Sequence, residues 1–443
     1  MSRSNDAAAA ASAHRAGPPA WILLDNDAYI DDVQNASSAT AWTSRGQPIR
    51  VTLAAAEPPR DSYFGVHCPS LMTKKRKHGE DDHARRGRRS SAAMMPFPPR
   101  VVYSDGDLAL LSVPLSNGPD TDYFIYKAGR RPSLRLLPAT FSDAEAFQYA
   151  PGLAHIDGDD GEHFVVAGVI LNGVGTHELH VFRSDRGTWT KTPLGLGIDL
   201  YAVPTKVIAL GGGDLGWVDL RECIIVCNVL NDDAPNPRLI PLPKLLPSNQ
   251  QDKQRRHPCE YREVRDVVIC AVDGSITCVE MEQCYRRVDL RDVSTADMLH
   301  DSDLPLGYGA NPTPPKFRYL GWRIITWNRA ANSTCWRKRG LIYVDDILAY
   351  HPGHTALLRP MAADSDQSLT VRHLTTQVPS LSIRGGNVVY IMAKASWRDT
   401  GKKAWMLSID MAKKTLEEVA PISAEESPCP SYISCSLSKY LEN

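Results

Sequence analysis

A chain of 443 residues with 43% hydrophobic side chains is long enough for one large domain or two to three ordinary ones, and its apolar content excludes a disordered protein. Fifty basic against 51 acidic side chains leave a net charge of −1, so any attraction to nucleic acid or membrane must be local. The ten cysteines form no C-x-x-C pair, Cys223 and Cys227 coming nearest at a spacing of four, and apolar runs of about ten residues fall short of the ~20 a spanning helix needs.

Residues 1–18 read as a disordered tail: an alanine run without the leucine-rich core of a signal peptide, an organelle transit peptide being the alternative. Residues 19–69 form an N-terminal β region with extended pieces at 21–24 and 48–53. Residues 70–99 are a basic, then proline-rich linker. From 100 to 425, short runs rich in Val, Ile, Tyr and Trp recur between Gly, Pro, Asn and Asp, and 426–443 is a C-terminal segment.

The recurrence has an order. Residues 108–138, 163–194 and 386–421 each read strand, turn, strand, turn, short strand, proline. Repetition of one meander predicts an all-β fold, a β-propeller-like array of three- to four-stranded antiparallel meanders with a disordered N-terminus, and about five to seven blades fit the available length.

Within VIALGGGDLGWVDL (207–220), Gly211, Gly213 and Gly216 show the G-x-G-x-x-G spacing of a dinucleotide site. That chemistry needs a helix after the last glycine and then a second strand ending in an acid, all within about 30 residues. Asp232 follows too soon, and the stretch from Cys223 to Leu230 is small, β-branched and apolar at both parities, as in a strand buried on both faces. A turn between strands is expected, and no cofactor is assigned.

The next residues carry a family likeness. GWVDLRECIIVCNVLNDDAPNPRLIPLPK (216–244) resembles the plant family called domain of unknown function 1618, expanded in grasses, through Trp217 to Leu220, Cys227 to Leu230, Asp232, Asp233, Arg238 and the I-P-L-P at Ile240 to Pro243. YREVRDVVIC, WRIITWNR, LSIRGGNVVYIMAK, AWMLSIDMAKKTLEEVAP and the opening WILLDNDAYIDD extend the likeness over nearly the whole chain. The resemblance implies a fold similar to F-box-associated and kelch-like propellers but brings no activity, cofactor or catalytic residue. The leucine-rich F-box helix pattern is absent from residues 1–60.

Candidate chemistry is sparse. HELH (177–180) on a strand points His177 and His180 to opposite faces, so no metal site is assigned. There is no G-x-S-x-G elbow, P-loop or EF-hand loop. The pairs Asp25/Asp27, Asp31/Asp32, Asp232/Asp233 and Asp345/Asp346 suit strand ends and turns, so no catalytic residue is assigned. Trp322, Trp327 and Trp336 lie among Arg323, Arg329, Arg337, Lys338 and Arg339, a mixture that either packs between sheets or stacks on bases or sugars. Lys74, Lys75, Arg76 and Lys77, followed by Arg85, Arg86, Arg88 and Arg89, are similar to a bipartite nuclear-import signal, the alternative being a solvated insertion.

The expectation is a non-catalytic platform for a protein partner, with no membrane association, in the nucleus, the cytoplasm or both. The alternatives are a hydrolytic or carbohydrate-directed enzyme with a loop-built pocket, and a nuclear or nucleic-acid-associated factor working through the linker.

Overall fold

The structure is a computed structural model that describes residues 17–68, 98–115, 121–138, 150–156, 163–172, 176–196, 202–231, 235–251, 256–287, 317–331, 333–351, 353–361, 369–395, 404–422 and 430–441. The tail to residue 16 and the linker at 69–97, with its eight candidate import residues, lie outside them.

The first strands are β1 (Ile22–Asp25), β2 (Tyr29–Ile30), β3 (Ala39–Trp42), β4 (Pro48–Ala54) and β5 (Asp61–His67). Five meanders follow. The first is β6 (Arg100–Asp105), β7 (Leu108–Pro114), β8 (Thr121–Lys127) and β9 (Ser133–Leu136); the second is β10 (Gly152–His155), β11 (Phe164–Asn172), β12 (Thr176–Arg183) and β13 (Thr188–Leu194). The third is β14 (Lys206–Gly211), β15 (Asp214–Asp219), β16 (Cys223–Asn228) and β17 (Arg238–Pro241). The fourth is β18 (Arg265–Ile269), β19 (Ile276–Arg287), β20 (Phe317–Arg329) and β21 (Arg337–Tyr343); the fifth is β22 (Thr375–Leu381), β23 (Val388–Lys394), β24 (Ala404–Asp410) and β25 (Thr415–Ile422), before the last strand β26 (Tyr432–Cys435).

Each meander is one antiparallel four-stranded sheet in chain order, and β26, β1, β5, β4 and β3, with β2 beside β5, make a sixth. The first strands β6, β10, β14, β18, β22 and β26 are neighbours in turn, and β26 meets β6 again. The fold is therefore a six-bladed β-propeller, with four-stranded meanders and a blade number inside the expected range. The N-terminal β region sits in the ring: β1 pairs antiparallel with β26 and parallel with β5, so residues from the two ends of the chain close it.

The core lies between blades. One apolar cluster joins Val218, Ile224 and Ile240 of the third meander to Val267 and Cys278 of the fourth, and another joins Met281, Trp322 and Ile324 of the fourth to Ile391 and Leu407 of the fifth. A sheet covered on both faces needs strands apolar at both parities, and β16 (CIIVCN) is buried at every position but the last. The described α-helices are short, Pro247–Gln251, Val344–Tyr350 and His354–Leu358, and all lie in connections; none is long and apolar enough to cross a membrane.

Candidate functional site

Antiparallel pairing brings each meander back to the face where its first strand began, after the second strand and again after the fourth. This is the mouth face; the other is the turn face. Where β14, β18 and β26 begin, the ring axis opens into a cavity of about 40 Å³, room for a few water molecules.

Polar side chains staple the inner strands around this cavity. Asp266 on β18 accepts from Lys206 Nζ on β14 at 2.5 Å and from the Leu381 amide on β22 at 3.2 Å. Ser434 Oγ on β26 donates to Leu381 O at 2.5 Å. Asn26, just after β1, donates through its amide to Ser431 O (3.0 Å) and through Nδ2 to Val101 O (3.2 Å), and its own carbonyl accepts from the Val101 amide at 2.7 Å. Arg262 Nη1 donates to Ser431 Oγ at 3.1 Å. Three buried atoms of cavity-lining residues, Asn26 Oδ1, Thr205 Oγ1 and Arg265 Nε, have no hydrogen-bond partner among the described residues.

Beside the mouth, Arg265 fills the seam between the third and fourth blades. It donates to Leu220 O at 2.9 Å and Pro243 O at 2.5 Å and meets Glu280 Oε2 at 3.0 Å, both side chains being fully buried. Glu280 Oε1 accepts from the Leu246 amide (2.8 Å) and Asn249 Nδ2 (2.9 Å), yet burial outweighs these partners and pushes its carboxyl up. Asp25, opposite Tyr432 in the closing ladder, is pushed up to about 7 by burial. Hydrogen bonds from Tyr29 Oη (2.6 Å) and the Asp27 amide (3.0 Å) oppose that rise, and the charges of Asp61 and Asp27 add to it.

The sequence candidates fall as follows. Gly211, Gly212 and Gly213 carry φ of +90°, +60° and +83° and turn β14 into β15, where Asp214 to Asp219 continue as strand. A Cβ on Gly216 would lie 2.8 Å from Ile224 Cγ2, so that glycine lets a strand pack closely. His177 and His180 are both buried on β12; Glu178 Oε2 lies 3.2 Å from His180 Nε2, and burial lowers the His177 pKa. Cys223 and Cys227 stand about 13 Å apart along β16, too far to share an ion, and burial pushes both thiols up to about 12. Among the described residues no group of three or more His, Cys, Asp or Glu side chains is placed to hold a metal.

The carboxylate pairs do turn and ion-pair work. Asp32 pairs with Arg50, Asp345 with Arg372 and Asp346 with Lys414, whereas Asp232 and Asp233 lie outside the described residues. The tryptophans pack between sheets: Trp322 is buried and donates to Val371 O (3.3 Å), Trp336 donates across a seam to Pro241 O (2.7 Å), and Trp327 packs beside it. Lys206, Asp266 and Asn26 were not singled out from sequence. Their available signal was charged Arg265 and Asp266 standing at the head of the apolar Val267 to Ile269.

Exposed aromatics collect on the fourth blade. Of the eight exposed large hydrophobic residues among the described residues, Tyr285, Tyr319, Leu320, Tyr343 and Tyr350 belong to β19, β20, β21 or the helix that follows.

Residues 217–390 match the family described as "Protein of unknown function (DUF1618)". No curated protein sequence matches the chain. Among solved structures, a chain from a study of two prolyl endopeptidases aligns at 10% identity and TM-score 0.28, over 74% of this chain and 42% of that one, so the chain spans less than half of its length. A putative 6-phosphogluconolactonase from Bacteroides fragilis aligns at 10% identity and TM-score 0.33, over 91% of this chain and 85% of that one. The C-terminal WD40 domain of Sif2 aligns at 9% identity and TM-score 0.32, over 93% and 90%.

Proposed function

We propose that this propeller is a non-catalytic protein-interaction platform that binds through its mouth face. The observation that carries the reading is the division of labour at that face. The axial cavity, about 40 Å³, has its charges committed to one another, Lys206 to Asp266 and Arg265 to Glu280, which staples the ring together. The exposed Tyr285 and Tyr319 of the fourth blade lie at the mouth-face ends of β19 and β20. A rigid ring that presents many connections on one face suits binding, although the fold alone assigns no function.

The test is cross-linking mass spectrometry on partners enriched by proximity labelling in the native tissue. The expected links run from a partner to mouth-face segments. Links confined to the turn face, or no enrichment over an unrelated propeller, would remove the proposal.

A further inference from the structure

At the turn face, the seam between the third and fourth blades gathers basic side chains from both. β17 starts at this face with Arg238, β20 ends there at Arg329, and β21 starts there with Arg337. Side chains directly opposite in a ladder share a sheet face. Arg238 stands opposite Val226, Arg329 opposite Ile276, and Lys338 opposite Trp327, which is itself opposite Cys278. Val226, Ile276 and Cys278 belong to the apolar cluster that fills this seam, and Trp327 packs against it. Arg238, Arg329 and Lys338 are therefore turned to the same seam, at its turn-face end.

The charges there are unevenly matched. Arg238 meets Asp214 Oδ2 at 2.8 Å. Arg329 donates through Nε to Ser333 O at 2.6 Å. Among the described residues, neither Arg329 nor the exposed Arg337, Lys338 and Arg339 has a carboxylate partner. Asp273, on the adjoining turn between β18 and β19, is held by the Ser275 amide (3.0 Å) and hydroxyl (2.7 Å). Burial and then the Arg238 charge hold the Arg329 guanidinium below its ordinary range, so two cations face each other across the seam. An anion that accepts from both relieves that repulsion.

We propose that this seam captures a phosphorylated serine or threonine on an extended segment of a partner protein, with the phosphate held between Arg238 and Arg329 and Lys338 beside it. A phosphate brings close to two negative charges and three acceptor oxygens, which suits guanidinium forks converging from two blades. A nucleic-acid strand needs open ring faces in line with its cations. Here Trp327 and Trp336 pack against the core, Trp336 gives its N–H to Pro241 O at 2.7 Å, and the cations gather at one seam. The site is on the face opposite the mouth and does not depend on the platform reading.

The test uses the full chain and fluorescence anisotropy, with a labelled peptide of about ten residues holding one phosphoserine among glycine and alanine. The comparison ligands are the same peptide without its phosphate, and oligouridine and inorganic phosphate as competitors. The phosphopeptide is expected to bind, and the unphosphorylated form to bind at least about tenfold more weakly, with a loss of about tenfold for Arg329→Gln and a smaller loss for Lys338→Gln. Lys338 is exposed, so its variant should keep the wild-type melting temperature and decides the matter if Arg329→Gln unfolds.

No binding, equal binding of the unphosphorylated peptide, displacement by oligouridine at a lower concentration than by unlabelled phosphopeptide, or displacement by inorganic phosphate at the phosphopeptide's own concentration would overturn the proposal. So would indifference to both substitutions. Binding seen only after Asp232→Asn with Asp233→Asn would overturn it too, since those acids of the join between β16 and β17 would then be the occupant. Cross-links at the mouth face are unaffected in each case, so the platform stands or falls by its own experiment.

Discussion

The two faces of the ring use the chain differently. On the turn face the strands are joined by 106–107, 184–187, 212–213 and 411–414, turns so tight that Gly106, Gly187, Gly212 and Lys414 adopt φ between +56° and +65°. On the mouth face the joins include 68–99, 137–151, 242–264, 288–316 and 344–374. Where the chain reverses in two residues, backbone conformation dictates the side chain. Where it travels further its residues divide: Tyr261 in 242–264 and Ile347 and Val371 in 344–374 are buried in the cores between blades, whereas the charged run at 74–89 has no apolar pattern to bury. Stability should therefore be sensitive to substitution on the turn face and in the ring wall, and insensitive in the charged connection between β5 and β6.

The wall should respond most. Glu280→Ala leaves Arg265 buried with no counter-charge, so a loss of about 3–5 kcal/mol is expected in chemical denaturation. The double substitution Arg265→Met, Glu280→Leu should recover most of it, because two apolar side chains of similar volume need no solvation. A double variant as unstable as the single one would show that the bonds to Leu220 and Pro243, rather than the charge pair, hold this seam.

Next comes the turn face. Gly213→Val puts a branched side chain at φ +83° with its Cβ 2.7 Å from Leu230 Cγ. Left-handed strain of about 1–2 kcal/mol plus overpacking of about 1–3 kcal/mol predicts a loss near 3 kcal/mol. A melting temperature within two degrees or so of wild type would contradict the account of this face.

The closing sheet should show a dependence on pH. Asp25 is held near 7 in the folded protein against an ordinary carboxylate value of 3.8, and Asp27, Asp61, Tyr29 and Tyr432 are the titratable groups around it. The folded state keeps a proton that the unfolded state releases, so stability present below pH 4 is lost as pH rises toward 7, by about 2–3 kcal/mol between pH 5 and 7. Asp25→Asn should flatten that part of the profile, and an unchanged slope would locate the titration elsewhere.

These effects mark what was legible in the sequence. The meander was readable because strand, turn and proline recur with the same signals, and the glycine turn because β-branched residues follow Gly216 where a nucleotide-binding helix belongs. Closure of the ring was not readable. It pairs Ile22 with Cys435, a contact between chain ends that no local pattern encodes. The mouth was only half visible, since Lys206 and Asp266 look like ordinary surface charges until β14 and β18 are set side by side.

The smallest change in stability is expected in the longest mouth-face connection. Lys74, Lys75, Arg76, Lys77, Arg85, Arg86, Arg88 and Arg89 belong to the join between β5 and β6 and outnumber Glu80, Asp81 and Asp82, leaving a net charge of +5 before histidines. Such a density of like charge needs water around it, so replacing the eight with Ala or Ser should move stability by no more than about 0.5 kcal/mol, the scatter of ordinary surface substitutions. If the segment serves as a nuclear-import address, the same replacement should shift a fluorescent fusion from nucleus to cytosol, because an acidic receptor groove reads lysine and arginine on an extended chain. An unchanged distribution would reject the address and leave a solvated insertion. A large loss of stability would break the comparison itself, since it would mean that this connection bears on the blades it joins.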